Sequence, residues 1–136
     1  MSAPRAGRCA CGAIRFTTTS EPLVVLNCHC RDCQRASGTA FSTVAVFPSE
    51  ALAVEGEPRW RATTAESGSV VRRGFCPECG SPLFSASDGL ATLAIVKVGG
   101  FDDPSALRPT MDIWTESALG WTVMDTATKK RAKSAG

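Results

Sequence analysis

The chain has 136 residues, 43% of them hydrophobic and 21% charged, with seven cysteines, one histidine and a formal net charge of +2. That length and apolar content suit one small domain with its own core, and polar or charged residues interrupt every apolar run, which excludes a membrane-spanning helix. Of the 15 basic residues, Lys129, Lys130, Arg131 and Lys133 lie near the end, leaving 11 against 13 acidic ones over residues 1–128, a balance that argues against nucleic acid as a partner.

From the start, Met1-Ser-Ala-Pro-Arg leads to Cys9-Ala-Cys11-Gly12 without an apolar stretch, so no secretory leader is expected. An odd cysteine count with no sign of an oxidising compartment predicts reduced, metal-binding thiols and a cytoplasmic setting. Residues 13–19 alternate apolar and polar, as in a half-buried strand, and residues 23–26 form a short buried run after Pro22. Next comes Cys28-His-Cys30-Arg-Asp-Cys33, and a helix of one or two turns is predicted from Arg31 to a C-terminal cap at Gly38. Further strands are predicted at residues 40–47, 59–63, 69–75, 83–87, 92–98, 112–115 and 121–124, with another helical turn within 99–107. The tryptophans and phenylalanines are expected in the core. The fold class is mainly β: short antiparallel sheets stapled by zinc, with one or two helical turns. The domain spans residues 5–126, and a basic disordered tail is expected over 127–136.

The cysteines separate into two kinds. Cys9-Ala-Cys11 and Cys76-Pro-Glu-Cys79 are each followed by glycine, Gly12 and Gly80, which leaves the backbone free to fold back toward a metal. These pairs read as two halves of one closed structural zinc site. A redox dithiol at Cys76 and Cys79 is the rival reading, but no βαβ pattern surrounds the pair. Cys28, Cys30 and Cys33 come from one segment with no local fourth ligand, and three protein ligands with an open position is the catalytic zinc arrangement. The alternative is a second structural zinc closed by a distant Asp or Glu. Strand alternation turns His29 away from the face of Cys28 and Cys30, which favours a hydrogen-bonding role over substrate contact or metal ligation. Asp112 and Asp125 flank the last expected strands with no chemistry assigned.

Three motifs in order, Gly7-Arg-Cys-Ala-Cys-Gly-Ala-Ile-Arg-Phe, Cys28-His-Cys-Arg-Asp-Cys-Gln-Arg-Ala-Ser-Gly and Gly74-Phe-Cys-Pro-Glu-Cys-Gly-Ser-Pro-Leu-Phe, resemble the glutathione-dependent formaldehyde-activating enzyme family, whose domain is also called the centromere-protein-V domain. The resemblance runs from about Gly7 to Asp125 and includes all seven cysteines. It implies a β-tent fold, a structural zinc on Cys9, Cys11, Cys76 and Cys79, and a second, catalytic-type zinc on Cys28, Cys30 and Cys33. It also implies a carbon–sulfur lyase-type activity in which a small thiol such as glutathione joins an aldehyde such as formaldehyde. Arg31 and Arg35, nearest in sequence to the three-cysteine cluster, are candidate contacts for the thiol's carboxylates, with Arg72 and Arg73 as further cations. A non-catalytic, zinc-stabilised interaction module of the same fold is the alternative function.

Overall fold

The computed structural model describes residues 4–134. The chain runs through β1 (Arg5–Arg8), β2 (Arg15–Thr18), β3 (Val24–Cys28), α1 (Arg31–Ser37), β4 (Ser42–Pro48), β5 (Leu52–Glu55) and β6 (Arg59–Thr64). It continues through β7 (Val70–Phe75), β8 (Pro82–Ser87), β9 (Leu93–Lys97), β10 (Met111–Ile113) and β11 (Lys129–Lys130), with short 3-10 turns between. A three-stranded sheet has the order β1-β2-β5, and an eight-stranded sheet the order β11-β10-β3-β4-β9-β8-β7-β6. The mainly β expectation holds. Most pairings are antiparallel, but β10 runs parallel to both β3 and β11. No helix among the described residues is long and apolar enough to cross a membrane.

The strands at the centre of the large sheet bury both faces. Val25, Ala45, Phe47 and Val96 enter the main core with Phe16 of the small sheet and Ile14 just before its strand β2. Their alternates Leu26, Val44, Val46 and Ile95 form a second cluster on the other face, as period-two side-chain placement requires. Phe16 packs edge-on against Phe84 at 5.5 Å and Phe101 at 5.0 Å, the arrangement ring quadrupoles favour. Gly7 allows this packing: a Cβ there would lie 2.2 Å from Phe16 Cζ and 2.4 Å from the Gly100 carbonyl oxygen.

Two expectations are corrected. Residues 121–124 form no strand, and Trp121 and Val123 are 74% and 92% exposed; the edge of β10 that such a strand would need is taken by β11. The chain beyond 126 is not a disordered tail over its described part. Lys129 N–H donates to Thr110 O and Arg131 N–H to Asp112 O, each at 2.9 Å, and Trp114 N–H donates to Lys133 O at 2.8 Å. The open edge of β10 recruits this segment through backbone hydrogen bonds, which need no apolar side-chain pattern. Residues 135–136 of the expected tail lie outside the described residues.

Candidate metal centre

The two glycine-followed pairs are similar backbone knuckles. In the first, Cys9 N–H donates to Ile14 O at 3.0 Å and Gly12 N–H to Cys9 O at 3.2 Å. In the second, Cys76 N–H donates to Ser81 O at 3.0 Å and Gly80 N–H to Cys76 O at 2.8 Å. Gly12 and Gly80 take φ of 81° and 80°, in the left-handed region that a Cβ disfavours. Ser81 joins the knuckles: its Oγ accepts from Ala10 N–H at 3.0 Å and lies 3.1 Å from Cys79 Sγ. That hydroxyl, followed by backbone N–H groups, pulls the Cys79 thiol down to about 5.

The four sulfurs of Cys9, Cys11, Cys76 and Cys79 all lie within 4.8 Å of one another. Cys9 Sγ is 3.7 Å from Cys11 Sγ, which is 3.8 Å from Cys76 Sγ. A tetrahedral zinc with metal–sulfur bonds of about 2.3 Å has sulfur–sulfur edges of about 3.8 Å. The donor set and its spacing fit zinc.

Cys28, Cys30 and Cys33 also gather, with sulfurs within 4.8 Å of one another. Cys28 ends β3, on the face of the second cluster. Cys30 caps α1, its Sγ accepting from Cys33 N–H at 3.2 Å. Cys33 follows in the first turn of α1. No fourth His, Cys, Asp or Glu joins this trio among the described residues. Three thiolates suit zinc as well and leave one position open. Hydrogen bonds from the Cys28 and Cys30 thiols pull Cys33 down to about 3, against the effect of burial, with the charges of Arg73 and Lys97 adding to the pull. The same contacts and burial push Cys28 up.

His29 points the other way. It is fully buried, and its Nε2 lies 2.7 Å from Asp112 Oδ1; Asp112 is 1% exposed. Asn27 Nδ2 donates to the same oxygen at 3.2 Å, and the Thr128 hydroxyl donates to Asp112 Oδ2. The Gln34 amide then ties α1 down, donating to His29 O at 2.8 Å and Ser117 O at 3.2 Å. His29 is therefore a buried tether between two of the trio's cysteines, as alternation predicts. Asp112, its partner from the far end of the chain, carries no mark in the sequence.

Arg31 and Arg35 lie on the exposed side of α1, and Arg31 hydrogen-bonds the Gln34 side chain. Arg72 pairs with Asp88 on the outer face. Arg73, one residue on, faces the trio: Nη2 donates toward Cys33 Sγ at 4.0 Å and Nη1 to Thr63 Oγ1 at 3.1 Å. Lys97, on the same face of β9 as Leu93 and Ile95, donates to Ser42 Oγ. Burial pushes its ammonium below the usual value, while the Cys33 charge opposes this. A cavity of about 260 Å³ opens here, its wall including Ala36, Arg61, Arg73, Phe75, Phe84 and Lys97. Lys97 was the overlooked cation; its signal is a lysine that ends the apolar stripe of Leu93 and Ile95.

Fold and clusters define a class: a small β protein with two sets of cysteine ligands suited to zinc, one complete in itself and one of three. The family model described as glutathione-dependent formaldehyde-activating enzyme matches residues 4–117, and the chain belongs to that family. A protein of Emericella nidulans, provisionally named a glutathione-dependent formaldehyde-activating enzyme, is 32% identical over 76 residues, covering 56% of this chain and 38% of its own length. A Penicillium rubens protein of the same provisional name is 33% identical over 79 residues, covering 57% and 41%. The matched region thus spans about two fifths of these relatives. A crystal structure of a Rhodobacter sphaeroides protein shares the fold, with a TM-score of 0.57 at 18% identity over 93% of this chain and 98% of that one.

Proposed function

We propose that Cys28, Cys30 and Cys33 hold a zinc at which a small thiol of the glutathione type joins an aldehyde such as formaldehyde, or is released from the adduct. The observation that carries this reading is the contrast between the clusters: four sulfurs close one set, and no fourth ligating side chain closes the other among the described residues. Zinc in such a site supplies a Lewis-acidic position that favours the deprotonated form of a thiol.

The chain's own residues set the rest. Cys30, as the cap of α1, and Cys28, at the end of β3, are fixed by backbone hydrogen bonds, so the three sulfurs converge before any guest arrives. Arg73 and Lys97 place positive charge beside them. In the overall reaction the sulfur forms a bond to the carbonyl carbon, the C=O π pair moves to oxygen, and the thiol's proton ends on that oxygen. The product is a hydroxyalkyl thioether, and nothing is oxidised or reduced. Cys9, Cys11, Cys76 and Cys79 hold a zinc with a structural role in this reading.

Exchange NMR on glutathione with formaldehyde tests it. The zinc-loaded chain is expected to accelerate adduct exchange over the spontaneous rate, and Cys33→Ser to lose at least about tenfold of that acceleration. A wild-type chain with two zinc ions and no acceleration would overturn the reading and leave a metal-clipped binding module.

A further inference from the structure

Arg61 and Arg73 are directly opposite across β6 and β7. Like charges in that position repel. Lys97 lines the same cavity. None of the ion pairs among the described residues involves any of the three. A zinc dication with three thiolates carries a single negative charge, so two positive charges would remain without a counter-charge even with the trio loaded. Arg61 is exposed but Arg73 and Lys97 are half-buried, and the loaded trio would offset only one of those two charges, which is costly unless something neutralises the other. Thr63 also holds the Arg73 guanidinium in place, with Nη2 turned to Cys33 Sγ at 4.0 Å. An anion seated on that guanidinium would therefore sit within a few bonds of a sulfur held at the trio.

We propose that Arg73 and Lys97, with Arg61 at the rim, form the carboxylate-recognising half of the thiol site, so that this chain selects thiols bearing a carboxylate near the sulfur. The inference rests on the thiol reading above and moves anion recognition from α1, where Arg31 and Arg35 lie, to the strands β6, β7 and β9. Arginine contributes a two-pronged donor to a carboxylate, and lysine a point charge. Small mercapto acids belong to this class along with larger peptide thiols.

Three probes of similar size separate charge from sulfur: 3-mercaptopropionate, 2-mercaptoethanol and cysteamine, titrated calorimetrically into the zinc-loaded full chain at low ionic strength. The anionic thiol is expected to bind about tenfold or more tighter than the neutral one, and the cationic thiol weakest. In Arg73→Gln/Lys97→Met the preference for the anionic thiol over 2-mercaptoethanol should fall to within about threefold, the ratio being read independently of any change in affinity common to all three probes. Arg31→Gln/Arg35→Gln should keep the wild-type preference. If the double strand variant does not fold, Arg61→Gln alone should reduce the preference by about two- to threefold. Equal binding of all three probes by the wild type would overturn this inference and leave the thiol reading standing. A preference that survives in Arg73→Gln/Lys97→Met, or disappears in Arg31→Gln/Arg35→Gln, would also overturn it. Binding of none of the three would overturn the thiol reading, and this inference with it.

Discussion

Asp112 accepts from three side chains, His29, Asn27 and Thr128, in a place that water does not reach. Burial works against its charge, but those hydrogen bonds outweigh it and hold its carboxyl below the usual value. A depressed folded value gives stability that is complete above the unfolded value, about 3.9, and is lost as pH falls through the lower folded one. Asp112→Asn should therefore cost about 2–3 kcal/mol at pH 7, because an amide NH2 replaces one of the buried acceptor oxygens that these donors need. Its deficit relative to wild type should narrow once pH drops below about 4. Urea unfolding of both proteins from pH 7 to pH 3 checks this, and a deficit that stays constant across the range would remove the charge from the explanation. At this scale the cysteines were legible because metal ligation imposes short, fixed spacings. The direction of His29 was legible from strand parity. Asp112 was not, because its meeting with His29 depends on a parallel pairing between segments 83 residues apart, which leaves no local pattern.

Elements legible in the sequence are those whose side chains alternate or run apolar: β2, β3, β4, β7, β8 and β9 were all anticipated in place. β11 was not, since two lysines carry no apolar signal and the strand exists because backbone groups of β10 need partners. The opposite error at residues 121–124 has the same root, apolar β-formers without a neighbouring strand. β1 owes its position to close approach. Gly7→Ala would put a methyl group against a ring and, at 2.4 Å, against a backbone carbonyl that cannot rotate away. Overpacking typically costs about 1–3 kcal/mol, and a backbone clash should place this variant at or above the top of that range. Gly99→Ala, where nothing lies within 4 Å, should stay within about 0.5 kcal/mol of wild type. Denaturation midpoints of the two variants give the comparison, and equal midpoints would show that β1 can move aside. Deleting residues from Thr128 onward should unpair β10 and take the Thr128 hydroxyl from Asp112, lowering stability by about 2–4 kcal/mol; thermal melts of the shortened chain measure it.

The whole molecule is a set of local hairpins held by a few long-range ties. The four-cysteine set is one of them: Cys11 and Cys76, adjacent in space, are 65 residues apart in the chain. In the chain-entropy treatment a cross-link closing a loop of that length stabilises by about 4 kcal/mol. For a domain of this size that is roughly 10–15 °C in melting temperature. Cys76→Ser should show a loss of this order by calorimetry in the presence of zinc, and Cys33→Ser a much smaller one. Equal losses would mean that both clusters carry structural weight. Parallel pairing of β3 with β10 has another consequence, in time. A ribosome releases Cys79, the last of the four, well before Asp112, the anchor of His29. The four cysteines can thus come together while Cys28, Cys30 and Cys33 still wait for the tether that Asp112 gives His29.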